Sequence, residues 1–285
     1  MSILSNKIDF ALVFAVHNAN PNGDPLNGNR PRENNDSFGE VSDVCLKRKI
    51  RNRLIDLEQN VFVQSDEKRT DNFASLNDRA KATFGKDKKS PADYAKIACE
   101  TWIDVRSFGQ VFALKKGEGE NSGLSVGVRG PVSIHSAYSV NTIETSSIQI
   151  TKSVNGETTK EGGKSSDTMG MKHRVPFGLY VTYGSINCQL AEKTGFSEED
   201  AELIKQSLAT IFENDSSSAR PDGSMEVVEF LWWKHNAKNG QYSSAKVHRS
   251  LKITSKVEFP KSVSDYDITV EPLDGLVAEK VSDIR

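Results

Sequence analysis

The order of the apolar segments limits what this chain can become. Residues 8–16, IDFALVFAV, are rich in β-branched and aromatic side chains and read as a buried strand. A helix follows from Ser42 to about Leu57, with Leu46, Ile50, Leu54 and Leu57 at helical spacing on one stripe. Residues 125–140 (SVGVRGPVSIHSAYSV) and 175–190 (VPFGLYVTYGSINCQL) read as strands. Ser197 opens a second amphipathic helix, SEEDAELIKQSLATIF, with Asp200 in capping-box spacing. Ala201, Ile204, Leu208 and Ile211 form its apolar face. MEVVEFLWWKH, residues 225–235, is again a strand.

That order is βαββαβ. The predicted class is therefore α+β, built on a ferredoxin-like plan that RNA-recognition modules share. Three stretches interrupt it. HNANPNGDPLNGNRPR, residues 17–32, is a turn-rich loop whose Asn and Gly residues tolerate positive φ. Residues 58–90 read as polar and irregular, and Ser90-Pro91 then caps a helix to about Trp102. DVRSFGQVFALKKGEGENSG turns through glycine towards the next strand. Residues 141–174 read as a long hairpin with a polar tip at 155–168, projecting from the core for want of apolar positions. SLKITSKVEF and DYDITVEPL are further short strands.

The charge pattern is segregated beneath a net charge of −2. Residues 42–53 hold five basic side chains and one acid, and residues 232–256 hold six Lys/Arg and no acid. Residues 185–231 hold ten acids against three bases, and residues 258–285 seven against three. Such blocks are either two faces of opposite sign, one for a polyanion and one for further copies of the chain, or scattered solvated charge. No stretch approaches the ~20 apolar residues of a membrane span, which excludes an integral helical membrane protein. The N-terminus has no secretory pattern, and three widely spaced cysteines suit neither a disulfide scaffold nor a zinc ribbon, so a cytoplasmic protein is expected.

The catalytic signals are sparse. The five histidines lie far apart in no ligand spacing, there is no nucleophile elbow, and no Walker or Rossmann fingerprint is present. No metal or cofactor is expected. His17 and Asp24 lie just after the first strand. Asp24 reads either as a group that holds a metal or aligns a 2′-hydroxyl for RNA cleavage, or as the side chain that stabilises an NGDP turn. The RNA-binding signals are stronger. Lys47, Arg48 and Arg51 stand near a helix N-terminus begun by Ser42, beside the amides of Asn18, Asn20 and Asn22. RSFGQVF, residues 106–112, partly matches an RNA-recognition aromatic motif through Arg106 and Phe108, with Ser107 and Gln110 departing from it. Met169 and Met171 adjoin Lys172, His173 and Arg174; Met side chains either wedge between bases or fill a core, and the cations suit phosphates.

NPNGDP, SDVCLKRKIRN, DVRSFGQVFA, QITKSVN, TMGMKHRVPFGLY and SSARPDGSMEV occur here in that order, between about residues 5 and 256. Together they resemble the backbone subunit of the type I-C CRISPR Cascade complex, a member of the RAMP superfamily. The chain departs from that pattern at Met171, where a basic residue is expected. The resemblance implies an RRM-like palm (residues 1–60, 103–140 and 175–260), a helical insertion (61–102), a thumb hairpin (141–174) and a C-terminal strand or tail (261–285). It implies a non-catalytic subunit that polymerises head to tail along a CRISPR guide RNA, beside other Cascade subunits, and presents the guide to target DNA. The RNA-binding set it implies adds Arg220 of the SSARPDG motif to the residues above. In the related type III complexes the backbone subunit cuts target RNA with an Asp in the loop after the first strand, which is where Asp24 lies.

Overall fold

The computed structural model describes residues 2–85, 89–114, 124–151 and 169–281. Strand β1 (Ile8–Ala19) enters a loop with two short strands, β2 (Gly23–Asp24) and β3 (Arg30–Pro31), then β4 (Phe38–Val41) and helix α1 (Asp43–Asp56). Helices α2 (Leu76–Phe84), α3 (Pro91–Thr101) and α4 (Ile103–Phe108) precede the paired strands β5 (Gln110–Leu114) and β6 (Leu124–Val128). Next come β7 (Val132–Ile134), β8 (Ala137–Thr142), β9 (Ser146–Thr151) and β10 (Met169–Ile186). Helices α5 (Cys188–Thr194) and α6 (Glu198–Ala209) lead to β11 (Met225–Lys234). The described chain ends with α7 (Ser244–His248), β12 (Leu251–Ser255), β13 (Tyr266–Val270) and β14 (Glu279–Lys280).

The main sheet is antiparallel, in the order β14-β11-β1-β10-β8-β4, with β7 and β9 also pairing along β10. Both faces of β1 are covered, which explains why its sequence alternates so poorly. Ile8, Phe10, Leu12, Phe14 and Val16 pack with Leu46, Ile50 and Leu54 of α1 and Ile204 and Leu208 of α6. Ala11, Val13 and Ala15 pack on the opposite side with Val247, Leu251, Tyr266 and Leu276. The two short C-terminal strands pair with each other as a lid on that second face. A domain boundary at 260/261 would cut between them.

A separate core gathers Phe62, Phe84, Trp102 and Phe112, with ring centroids of neighbouring pairs 4.6–6.2 Å apart. Val105 of α4 and Val126 of β6 join it, so this second core runs from Phe62 into α4 and the β5–β6 pair. The two cores are tied at Asp104, 1% exposed on α4. It accepts hydrogen bonds from the backbone N–H of Phe62 (2.6 Å) and Val63 (3.1 Å) and from Arg51 Nε of α1 (2.9 Å).

Several local expectations change. Residues 58–90 contain α2, which Ser75 caps through the Asp78 N–H. The segment after Trp102 first forms α4; Gly109, at φ 81°, ends it, and a Cβ there would meet the Val128 carbonyl oxygen at 2.4 Å. Residues 125–140 divide among β6, β7 and β8 rather than forming one strand. The strand expected at 175–190 starts earlier, at Met169, and stops at Ile186, because Asn187 caps α5 through the Leu190 N–H. Lys49 of the basic run 42–53 is buried at 3% exposure and pairs with Asp215. The expected tip at 155–168 lies outside the described residues.

Several acids of the block 185–231 pair with basic side chains of the same chain. Arg53 reaches Glu213 (3.0 Å), Arg106 reaches Asp200 (2.7 Å), and Lys234 reaches Glu198 (2.7 Å). Asp9, fully buried on β1, pairs with Lys7 (2.9 Å) and His235 (2.8 Å). His235 Nδ1 accepts from the Gln241 N–H, so Nε2 carries the proton and donates to Asp9. These bonds hold the Asp9 carboxyl below its usual range, against the upward push of burial.

Candidate nucleic-acid interface

Three parts of the chain converge at one end of β1: the loop after it, the start of α1, and the arm formed by β9 with the first residues of β10. The loop is built by its own side chains. Asp24 Oδ1 accepts from the Leu26 N–H (3.2 Å) and caps a short 3-10 turn over Pro25–Asn27 that Gly28 closes at φ 59°. Arg32 approaches the same carboxylate at 3.4 Å. Asn20, 3% exposed, donates from Nδ2 to the Asn29 carbonyl (2.7 Å). Asn22 Oδ1 accepts from both the N–H and the hydroxyl of Ser42 (3.0 Å each), while Ser42 Oγ caps α1 through the Cys45 N–H. The loop is thus bolted to the helix by amide chemistry, and Asn20 and Asn22 are structural partners within it.

The arm is an extension of β10 beyond the sheet. Met169 to Arg174 pair with Thr151 to Ser146, and the register puts Met169, Met171 and His173 on one face and Lys172 and Arg174 on the other. Ile148, Ile150, Met169 and Met171 are exposed at 45%, 50%, 67% and 55%. None of these four is core filling. The arm meets the loop through Ser147, whose hydroxyl accepts from Arg30 Nη1 (3.2 Å) and contacts His173 Nδ1 (2.8 Å). Arg30, Arg32 and Ser147 were not marked by sequence; Arg30 and Arg32 stood in the flagged loop, but nothing in the pattern pointed at Ser147.

The basic side chains expected in the interface have different fates. Arg48 is exposed and makes no ion pair among the described residues. Lys47 is half-buried and pairs one turn back with Asp43 (2.9 Å). Arg51 is held by Asp104 and lies over the Phe108 ring at 5.2 Å, so it braces two cores rather than facing solvent. Arg106 clamps Asp200 with two nitrogens, at 2.9 and 2.7 Å, and that carboxylate also caps α6. Arg106, Phe108 and Gln110 therefore stand apart from the loop and arm; Gln110 bonds the Val111 carbonyl. Arg220 joins the interface from another loop: it pairs with Asp215 (3.2 Å), which also holds Lys49, and its neighbour Ala219 accepts from the Asn20 N–H. Burial pushes the Lys49 ammonium below its usual range and the Cys45 thiol above its own. Asn18, exposed at φ 50°, stands just before the loop. Among the described residues no three His, Cys, Asp or Glu side chains converge to hold a metal. No described helix is long and apolar enough to cross a membrane.

The family model for CRISPR-associated protein Cas7 matches residues 6–271, and the chain belongs to that family. A curated relative, the CRISPR-associated protein Cas7 of Haloferax volcanii, is 28% identical over 231 residues, covering 75% of this chain. This chain spans 66% of the length of that relative. Among solved structures, a chain of a CRISPR RNA-guided surveillance complex, pre-nicking, aligns with a TM-score of 0.47 and 14% identity over 80% of this chain and 78% of its own. A chain of another CRISPR RNA-guided surveillance complex aligns with a TM-score of 0.41 and 14% identity, over 80% and 68%.

Proposed function

We propose that this chain is a guide-RNA-binding backbone subunit of a type I-C Cascade complex, repeated head to tail along the guide and presenting it to target DNA. The observation that carries this reading is the β9–β10 arm. It holds four exposed apolar side chains together with Lys172, His173 and Arg174 beyond the sheet, on a protein of the Cas7 family. Apolar side chains lie on both faces of the arm, Ile148 and Ile150 beside Lys172 and Arg174, so a nucleic acid and a second copy of the chain are fitting partners for it. The strand order β11-β1-β10-β8, with helices α1 and α6 on one face, supports an RRM-like palm. The residues near 61–128 form the insertion, and the arm forms the thumb.

Within the interface, Arg48, Lys172, Arg174 and Arg220 contact phosphates, with Lys47 released from Asp43 when RNA arrives. Asn20, Asn22 and Ser42 hold the loop that presents its backbone. Phosphate contacts of this kind accept any guide sequence. No catalysis is assigned to the chain: Asp24 is engaged in capping its own turn and facing Arg32. The test uses purified protein with a guide and complementary target RNA in Mg²⁺. Neither wild type nor Asp24→Ala should cut the target, and both should bind the guide. Cleavage lost in Asp24→Ala would overturn the scaffold reading.

A further inference from the structure

A cleft of about 570 Å³ lies at the root of the arm, between the end of β8, the middle of β10 and the segment that joins β12 to β13. Its walls are aromatic. Phe177 stands on β10, 6.3 Å from Tyr266 by ring centroids, and Phe259 on the β12–β13 turn is 72% exposed. An exposed Phe on the rim of a cleft is a surface waiting for a flat apolar partner.

The polar lining narrows the chemistry. Asn141 Oδ1 accepts from the Tyr266 hydroxyl (2.9 Å), which fixes the amide and leaves its two N–H donors without a partner among the described residues. Asn18 brings a whole amide, donor and acceptor together, without a side-chain partner among the described residues. Lys261 adds donors, while Glu144 and Glu258 add acceptors; none of the three side chains has an ion-pair partner among the described residues. The matching ligand is flat and carries donors and acceptors on one edge. A lysine or arginine side chain offers donors alone, and would leave Asn141 unmatched while facing the charge of Lys261. A phosphate would face two carboxylates. A nucleobase satisfies all of these groups.

We propose that this cleft receives one nucleobase of a single RNA strand, stacked on Phe259 and hydrogen-bonded by Asn18 and Asn141. The proposal rests on the RNA-binding reading above, since the cleft opens beside the arm and the loop that carry that reading. A strand held there places its bases within reach of the cleft mouth. It gives the turn between β12 and β13 a role in RNA binding, in addition to the lid those strands form on the sheet.

The test compares wild type, Phe259→Ala and Phe259→Trp, full chain in each case. Phe259 is exposed, so neither change threatens folding. Anisotropy of a dye-labelled single-stranded RNA reads affinity, and RNA carrying 5-iodouridine reads position by photo-crosslinking and peptide mapping. Phe259→Ala should weaken binding by roughly fivefold or more, the usual loss for one stacked base, and Phe259→Trp should restore it. Crosslinks should map to Phe259 or Phe177. Wild-type affinity in Phe259→Ala, with crosslinks only elsewhere, would overturn the base cleft while leaving RNA binding intact. Failure of the wild type to bind RNA at low salt would overturn both. Phe259-dependent binding of an arginine-rich peptide in place of RNA would make the cleft a peptide site and overturn the proposal.

Discussion

Arg51 and Arg48 illustrate how differently neighbouring cations can act. Both stand in the basic run of α1, yet Arg51 is 13% exposed against Asp104, and Arg48 faces solvent. Arg51→Ala leaves the buried Asp104 carboxylate with only backbone partners. It should destabilise the fold on the order of 3 kcal/mol in a denaturant titration. Arg48→Ala should change stability by less than about 0.5 kcal/mol, yet weaken binding equally for unrelated guides and lower the salt slope by about one unit. Equal stability in the two variants would refute the assignment. The Asp9 network makes a pH-dependent claim. Its folded carboxyl sits below the ordinary value of 3.8, so the unfolded chain takes up the proton first as pH falls. The stability this gives is present above about pH 4 and is lost as pH drops through the folded value. His248, held below 6.5 by burial, adds a loss that begins nearer neutrality, for the unfolded chain again protonates first. Asp9→Asn should flatten the acid limb of the stability curve, and an unchanged limb would count against the network. Sequence showed the charges of α1 clearly. It could not show their partners, since Asp104 lies 53 residues from Arg51 and Asp215 lies 166 from Lys49.

Elements were most legible where local signals repeat. The Ser197/Asp200 capping box and apolar periodicity give α6 from sequence, and Ala201, Ile204 and Leu208 lie in the core at 2% exposure or less, as does Ile211 just past the helix end at Ala209. Ser42 likewise caps α1 as its spacing suggests. Short helices escaped: α7 has five residues, too few for a period to show, and α2 lies in a stretch whose polar composition resembles a loop. The arm was legible as paired strands, though the exposure of its apolar side chains, Ile148 and Ile150 on one face and Met169 and Met171 on the other, was not. Ile148, Ile150, Met169 and Met171 alternate with polar residues as a half-buried strand would, and only the fold shows that nothing covers them. Replacing all four by Ser or Thr should leave the melting temperature nearly unchanged, because no core is touched. The same change should cut assembly on a long guide, read by sedimentation. Normal assembly by this variant would remove the arm from the account.

At the scale of the whole molecule, the linear order of elements held the topology. A βαββαβ order predicts the strand sequence β11-β1-β10-β8, and the sheet has it. What the order could not reveal is that the face opposite the helices is closed. Val247, Leu251, Tyr266 and Leu276 cover it, so RNA cannot spread across that face as it does on an open four-stranded RNA-recognition sheet. On the proposed reading, the RNA strand follows the loop, the arm and the cleft instead. A subunit that grips RNA along such an edge, with an arm left to be covered by its neighbour, builds an open repeating assembly. Nuclease footprinting of long single-stranded RNA, titrated with the protein, tests this most directly. The account predicts protected fragments whose lengths increase by a constant step for each added copy, independent of RNA sequence. Unprotected RNA, or fragments confined to one sequence, would contradict it.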